Sequence, residues 1–577
     1  MDDLATGFST AHVNGLNQAG LVALRYGRST WPLLGEDDDV LYYGEAATGH
    51  AGKGAQAFSL SSALRDEYLG PMRVQRFGSL SGSDSGSSHS AFFRGLRAAM
   101  LALFYASAAA TAATQTNVLF IAIDDLRNDL GALGVAHART PHLDALAASG
   151  RLFSHHYVHV PTCGASRAAL LRGRRPSLQA HLHNHAIAAT HMDWGDANLP
   201  AWFRRHGYRT LALGKVTHYP GGLTGRNWME GLGELPGAWN RSWIPDTPWK
   251  HAQGIMHGLA NGQPRVFGQS PAWEVFDGPD TAYPDAWIAN EACAVLKELA
   301  GSGQPWFFAV GFFKPHLPFA APKRYFDEHD PARVAAPAPE SARRPDWSSG
   351  WHNSSELRNN YAHAGQDPAT HAAYATQLRQ AYAASVTYMD AQVGRVLATL
   401  RALGMESNTV VVAWSDHGFL LGEHAIWGKH CLYEAAMRSP LIIRQPGMAH
   451  PGRISAAVVE TVDLFPTLTD LCGLPAPNGL DGQSLVPQLR DPTLASNRPA
   501  FGYWTGGQRT VRTVRWRLIE RVGRDGAGAW IELFDYETDP GETRNHADTR
   551  PEVVEELRAL LASRGEPAPS GRSEAPR

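Results

Sequence analysis

Asn117-Val-Leu-Phe-Ile-Ala-Ile123 is an apolar run that breaks off abruptly at Asp124-Asp125. A short continuous run of this kind fits a strand covered on both faces, because a strand with one wet face would alternate. The arrangement recurs three times. Arg209-Thr-Leu-Ala-Leu-Gly214 leads to Lys215 and His218, Trp306-Phe-Phe-Ala-Val-Gly-Phe-Phe313 to Lys314 and His316, and Thr409-Val-Val-Val-Ala-Trp414 to Asp416 and His417. Helical patterns lie between them, clearest in Ser385 to Leu403. There Val386, Met389, Val393, Val396, Leu397, Leu400 and Leu403 share one face at three- and four-residue steps. Strands alternating with helices predict an α/β fold, a large doubly wound, mostly parallel sheet flanked by helices. Ligands of such sheets bind outside the carboxyl ends of the strands, so the four polar clusters are expected to converge.

The chain has 577 residues, enough for one large α/β domain with a smaller companion. Its formal net charge of −3 excludes the global basic field of a nucleic-acid binder, so an anionic substrate must be gripped locally. With 44% hydrophobic and 19% charged residues, it reads as globular rather than disordered or polytopic. Cys163, Cys293, Cys431 and Cys472 are too few for a disulfide scaffold, and no Cys-x-x-Cys pair suggests structural zinc.

Residues 1–115 are expected to be an N-terminal extension. They lack sustained periodicity up to about residue 93 and end in the linker-like run Ser79 to Ser90. Arg94 and Arg97 then precede apolar Ala98 to Ala110, the basic, apolar, small-residue order of a signal peptide, here at about 94–114. This order predicts the secretory pathway, with an extracellular, periplasmic or lysosomal destination and no stable membrane insertion. A short membrane anchor or a buried helix is the alternative. Residues 116–490 are expected to form the main domain and 491–565 a smaller α+β domain. In the latter, Arg512 to Ile519 and Trp530 to Phe534 predict an antiparallel sheet and Glu552 to Leu561 a helix. Residues 566–577 are expected to be a disordered tail.

Pro161-Thr-Cys163-Gly-Ala-Ser166-Arg167, followed by Leu171-Arg-Gly-Arg-Arg-Pro176, bears on chemistry. A cysteine phosphatase requires Arg six positions after its Cys, where this chain has Ala169. A thiol protease requires only a distant His, a test that 26 histidines empty of content. Cys-x-Ala-Ser-Arg with the downstream Leu-x-Gly resembles the sulfatase family of the alkaline-phosphatase superfamily. The resemblance covers most of 117–545 and is closest to iduronate-2-sulfatase-like members. It includes Asp124-Asp125, Gly214-Lys215-Val-Thr-His218, Lys314-Pro-His316-Leu-Pro-Phe319 and Ser415-Asp416-His417-Gly418. It continues through Leu421-Gly-Glu-His424, Trp427-Gly-Lys429, Asp463 to Leu468 and Leu533 to Pro540.

The resemblance implies an alkaline-phosphatase-like fold and sulfuric ester hydrolysis. It implies that a formylglycine-generating enzyme oxidises Cys163 to formylglycine, whose hydrate attacks sulfur with one hydroxyl and expels sulfate with the other. Carried over residue by residue, Asp124, Asp125, Asp416, His417 and the modified Cys163 hold one metal ion. Three carboxylates and the family habit favour Ca²⁺, while the imidazole leaves zinc or manganese arguable. Arg167 would hold the modified side chain and its neighbouring carboxylates, Lys215 and Lys429 would clamp sulfate, and His218 would take a proton from the second hydroxyl. His316 is the candidate to protonate the leaving alcohol, with Lys429 as its rival. A surface lysine is the other reading of Lys429, and a structural lysine the other reading of Lys314.

His181-Leu-His183-Asn-His185 with His191 reads as a pocket wall or loop, since no acidic or Cys partner completes a metal set. Residues 220–280, rich in Gly, Pro and Trp, read as rim loops able to stack on sugars. The resemblance implies a sulfated carbohydrate substrate, a uronate 2-O-sulfate of a glycosaminoglycan or similar polysaccharide. Two other readings stay open. One is a phosphonate or phosphodiester hydrolase using the same aldehyde; the other is a sulfated-glycan-binding protein in which Cys163 is never oxidised. Conversion of Cys163 would leave three cysteines, hence at most one intramolecular disulfide.

Overall fold

The computed structural model describes residues 116–190, 197–219, 234–250, 252–496, 498–523 and 528–568, together with the backbone of five strands between residues 13 and 59. Those five, Val13–Leu16, Val22–Tyr26, Ser29–Asp37, Val40–Tyr43 and Gln56–Ser59, pair in sequential antiparallel order. Most are too short for an alternation to stand out in the sequence. The linker-like run at 79–90, the signal-like segment at 94–114, residues 220–233 of the rim and His191 lie outside the described residues. Among the described residues no helix is long and apolar enough to cross a membrane.

The main unit is built on an eight-stranded sheet. Its spatial order is Ile454–Glu460, Arg151–Tyr157, Leu441–Arg444, Thr409–Ser415, Asn117–Ile123, Trp306–Phe312, Arg209–Gly214 and Arg241–Trp243. All neighbours are parallel except that Leu441–Arg444 opposes both of its own. Along the central strand Leu119, Ile121 and Ile123 enter one apolar layer, roofed by the helices Pro141–Ser149, Pro284–Ala300 and Ala372–Ala402. Val118, Phe120 and Ala122 enter the opposite layer, under Leu199–Arg205 and Leu464–Leu471. Two covered faces explain why the strand is apolar throughout; each buried large side chain contributes roughly 1.5–3 kcal/mol.

Four strands carried little sequence signal. Arg151–Tyr157 contains Ser154, His155 and His156, Ile454–Glu460 shifts register within its pairing, and the other two are short. The long helix starts at Ala372 rather than Ser385, because Tyr374, Leu378, Ala381 and Tyr382 extend its buried stripe.

The C-terminal part is a four-stranded antiparallel sheet of Ala500–Trp504, Gln508–Arg512, Trp516–Val522 and Ala529–Asp535, with the helix Pro551–Ala562. The run from Arg512 to Ile519 is not one strand. A turn breaks it, with the Trp516 amide donating to Thr513 Oγ1 at 3.0 Å. Arg512 and Arg517 tie this sheet to Glu434 of the main sheet's connections at 3.3 and 2.6 Å. The expected tail is anchored at its start: Ala568 donates to the Ser177 carbonyl and accepts from the Gln179 amide, at 2.9 and 2.8 Å.

Candidate active site

Cys163 is the first residue of the helix Cys163–Arg172, whose N-cap, Thr162, makes no side-chain cap of its own. Asn184 supplies the missing acceptor. Its Oδ1 takes the Gly164 amide and the Thr162 hydroxyl, each at 3.0 Å. A Cβ on Gly164 would lie 2.1 Å from the Asn184 carbonyl oxygen, so this approach requires glycine. The His181 to His185 tract is therefore a brace. His181 Nδ1 accepts from the Ser177 amide at 3.1 Å and lies 3.0 Å from Arg172.

One turn on, Arg167 is fully buried and fork-shaped toward two strand ends. Its guanidinium donates to Asp124 Oδ1 at 3.0 Å and to Asp416 Oδ2 at 2.9 and 2.8 Å, and it also reaches the carbonyls of Lys215 and Val216. Lys215 Nζ bonds the other Asp124 oxygen. Asp125, the next residue, adopts the left-handed backbone region with φ 61°. That conformation is held from both sides: Tyr382 Oη donates to its carbonyl at 2.8 Å, and its amide donates to Asp416 Oδ1 at 3.0 Å. Lys429 Nζ then sits 2.8 Å from both Asp125 carboxylate oxygens at 2% exposure, which removes the surface reading of this lysine.

Burial works to raise Asp124, yet Lys215, His316 and Arg167 together hold its carboxyl well below the ordinary carboxylate range. Burial is not overcome at Asp416, which is pushed up despite Arg167. Burial and then the Asp124 carboxylate push the Cys163 thiol well above its usual value, so an unmodified Cys163 is a protonated, poor nucleophile here. Its Sγ lies 3.4 Å from His417 Nε2 and 4.0 Å from Asp125 Oδ1.

His316 turns Nδ1 to the Leu317 carbonyl at 2.7 Å, and because a carbonyl only accepts, Nδ1 carries a proton. Nε2 faces Glu356 Oε1 at 3.3 Å and Asp125 Oδ2 at 4.0 Å. Glu356, on the short helix Ser355–Asn360, also lies 3.5 Å from Lys429 Nζ. Nothing in the sequence pointed to it, since it lies in an irregular stretch far from any strand end. His218 is buried with Nδ1 unpartnered among the described residues; burial, reinforced by Lys215, holds it well below the usual imidazole range, so it is neutral. No described hydrogen bond joins it to Cys163.

Two sets of donor atoms lie within 4.8 Å of one another, Asp124, Asp125, Cys163 and His316 in one and Cys163, Asp416 and His417 in the other. Cys163 is the corner they share, and all six residues are buried. The five residues predicted as ligands are thus adjacent, and His316 joins them. The carboxylates Asp124, Asp125, Asp416 and Glu356 face the cations Arg167, Lys215 and Lys429, a balance that leaves room for a further positive charge. The four cysteines are free thiols.

The Sulfatase family matches residues 116–474, and the family described as N-sulphoglucosamine sulphohydrolase, C-terminal, matches 422–565. A sulfatase of Formosa agariphila is 29% identical over 458 residues, 77% of this chain and 86% of that protein. Iduronate 2-sulfatase of Homo sapiens is 31% identical over 393 residues, covering 63% and 70%. The solved phosphonate monoester hydrolase of Silicibacter pomeroyi aligns with a TM-score of 0.60 and 27% identity, over 78% of this chain and 94% of that one. With the family match spanning most of the sheet and the convergent strand ends, the chain belongs to the sulfatase family, whose chemistry is the hydrolysis of sulfate esters.

Proposed function

We propose that this protein removes sulfate from a sulfated sugar, a uronate 2-O-sulfate of a glycosaminoglycan or similar polysaccharide, using formylglycine made from Cys163 by a formylglycine-generating enzyme. The observation that carries it is the placement of Cys163: a thiol silenced by burial stands at the corner shared by two metal-donor sets and at a helix N-terminus. The aldehyde hydrate would supply an oxygen nucleophile where sulfur cannot serve. Asp124, Asp125, Asp416 and His417 fit a divalent ion through a mainly oxygen donor set, with Ca²⁺ the best match, and such an ion would lower the pKa of the attacking hydroxyl.

The chain's own residues divide the remaining work. Arg167 fixes Asp124 and Asp416 in place through one rigid fork. Lys215 and Lys429, both buried, present fixed cations to the sulfate oxygens, where low exposure strengthens their stabilisation of transition-state charge. In this reading His316, whose Nε2 faces Asp125 and Glu356, gives a proton to the departing alcohol. In this reading His218 takes the proton that frees the second oxygen.

Mass spectrometry of the Cys163 peptide tests the nucleophile: an aldehyde is expected, and a thiol in active enzyme removes it. Cys163→Ala and Cys163→Ser should abolish turnover with the fold retained. The likeness to a phosphonate monoester hydrolase favours a second reading, phosphonate or phosphodiester hydrolysis with the same aldehyde. A panel of aryl sulfate, phosphonate monoester and phosphodiester separates the two by kcat/KM. Sugar binding without turnover by a protein retaining its thiol would indicate a glycan-binding role instead.

A further inference from the structure

Glu356 is a carboxylate that the chemistry above does not use. Its Oε1 faces His316 Nε2 at 3.3 Å, and its Oε2 is buried with no hydrogen-bond partner among the described residues. Lys429 Nζ lies 3.5 Å from Oε2 but directs its donors to both Asp125 oxygens at 2.8 Å. The side chain nevertheless keeps 17% of its exposure, so it is not sealed in the core. A carboxylate oxygen set between two cationic side chains is an acceptor, and a buried acceptor left without a donor is costly. What completes it is a donor.

We propose that Glu356 is a specificity-determining residue that accepts a hydrogen bond from a substrate hydroxyl on the carbon next to the sulfated one. The proposal rests on the sulfated-sugar reading. In that reading His316 faces the ester oxygen and Lys429 the sulfate oxygens, and Glu356 lies against both at 3.3 and 3.5 Å, so its free oxygen lies where the leaving group meets the sulfate. A vicinal hydroxyl on a sugar ring sits about one hydrogen-bond length from the ester oxygen, near 3 Å. A second anion on that carbon, such as a neighbouring sulfate, would meet the carboxylate and be repelled. The residue therefore selects a monosulfated diol unit over a disulfated one.

The experiment compares three sulfate esters: a sugar sulfate with the vicinal hydroxyl free, its deoxy analogue at that carbon, and an aryl sulfate with no hydroxyl. Sites built to bond a hydroxyl reject the analogue lacking it by factors of about 10⁴ to 10⁵. Wild type should favour the hydroxylated sugar over the deoxy sugar by at least about 10²-fold in kcat/KM. In Glu356→Ala that ratio should fall toward one, with the hydroxylated sugar losing at least about tenfold more than the aryl sulfate and the loss appearing in KM. Glu356→Gln, which keeps an acceptor oxygen, should restore part of the ratio. Equal losses on all three esters, or no discrimination by wild type, would overturn the proposal in favour of a purely structural role. Calorimetric binding of the two sugars in a Cys163→Ser background reads the same ratio without turnover. A wild type inactive on every sulfate ester refutes the reaction, while an undiminished binding ratio in Glu356→Ala, Cys163→Ser refutes the residue.

Discussion

Replacing Arg167 with Met tests whether the site is held together by charge. The guanidinium is 0% exposed and bonds Asp124 and Asp416 at 2.8 to 3.0 Å while filling the acceptors of two carbonyls. Met matches the length of the stem but offers no donor. Breaking a buried pair from one side costs about 3–5 kcal/mol, because the partner is left charged and unpaired, and here two carboxylates lose the same partner. The loss should therefore reach at least that range, a large share of a typical 5–15 kcal/mol stability. Guanidinium unfolding in chelator and again in Ca²⁺ measures it. A bound divalent ion supplies charge to the same carboxylates, so Ca²⁺ should stabilise the variant more than wild type. Arg167→Lys should fall between, since it keeps the charge without the fork. A Met variant within about 1 kcal/mol of wild type in chelator would refute the reasoning.

Chelation followed by dialysis should abolish sulfate ester hydrolysis, and Ca²⁺ at about 100 times its Kd should raise stability by about 2.7 kcal/mol; unchanged activity after verified metal loss would contradict the donor set. Gly164→Ala should cost about 1–3 kcal/mol from overpacking against Asn184 and, by displacing the nucleophile helix about 1 Å, lower kcat on the order of 10²-fold, checked by melting and steady-state kinetics.

The central sheet was legible because strands buried on both faces leave apolar runs that no exposed element mimics, as Asn117–Ile123 and Thr409–Ser415 do. Their polar ends were legible for the same reason, since Asp124, Lys215, His316 and Asp416 interrupt those runs. Arg151–Tyr157 and Leu441–Arg444 were hidden, the first by internal polar residues that find partners only in the fold, such as His156 with Thr461 at 3.0 Å. Glu356 was hidden more deeply. Its contacts cross from a short helix to two separate segments, and no local pattern encodes a contact made by three distant pieces of chain. The Asn184 cap is of the same kind: a local cap is read from the residue before the helix, whereas this one arrives from beyond the helix's far end.

Lys314 left two readings open, and its environment favours a positioning role. It is 1% exposed, and Nζ donates to the carbonyls of His316, at 3.1 Å, and Pro318. The amides of Phe313 and Lys314 donate to Asp285, each at 2.9 Å, so the loop that carries His316 is held from inside at both ends. Burial pushes Lys314 down to about 8, with Asp285 opposing, and pushes Asp285 up to about 6. Between about pH 8 and the ordinary 10.5, the folded chain therefore binds fewer protons at Lys314 than the unfolded chain does. Stability from this group rises with pH across that window, by on the order of 3 kcal/mol. Lys314→Met should flatten the rise and leave stability near pH 7 little changed, because relief of a buried charge offsets two lost hydrogen bonds. It should also lower kcat more than KM, since His316 loses the support of its own carbonyl. A variant that keeps the alkaline rise, or keeps full kcat, would show that the lysine neither carries a suppressed charge nor steadies the proton donor.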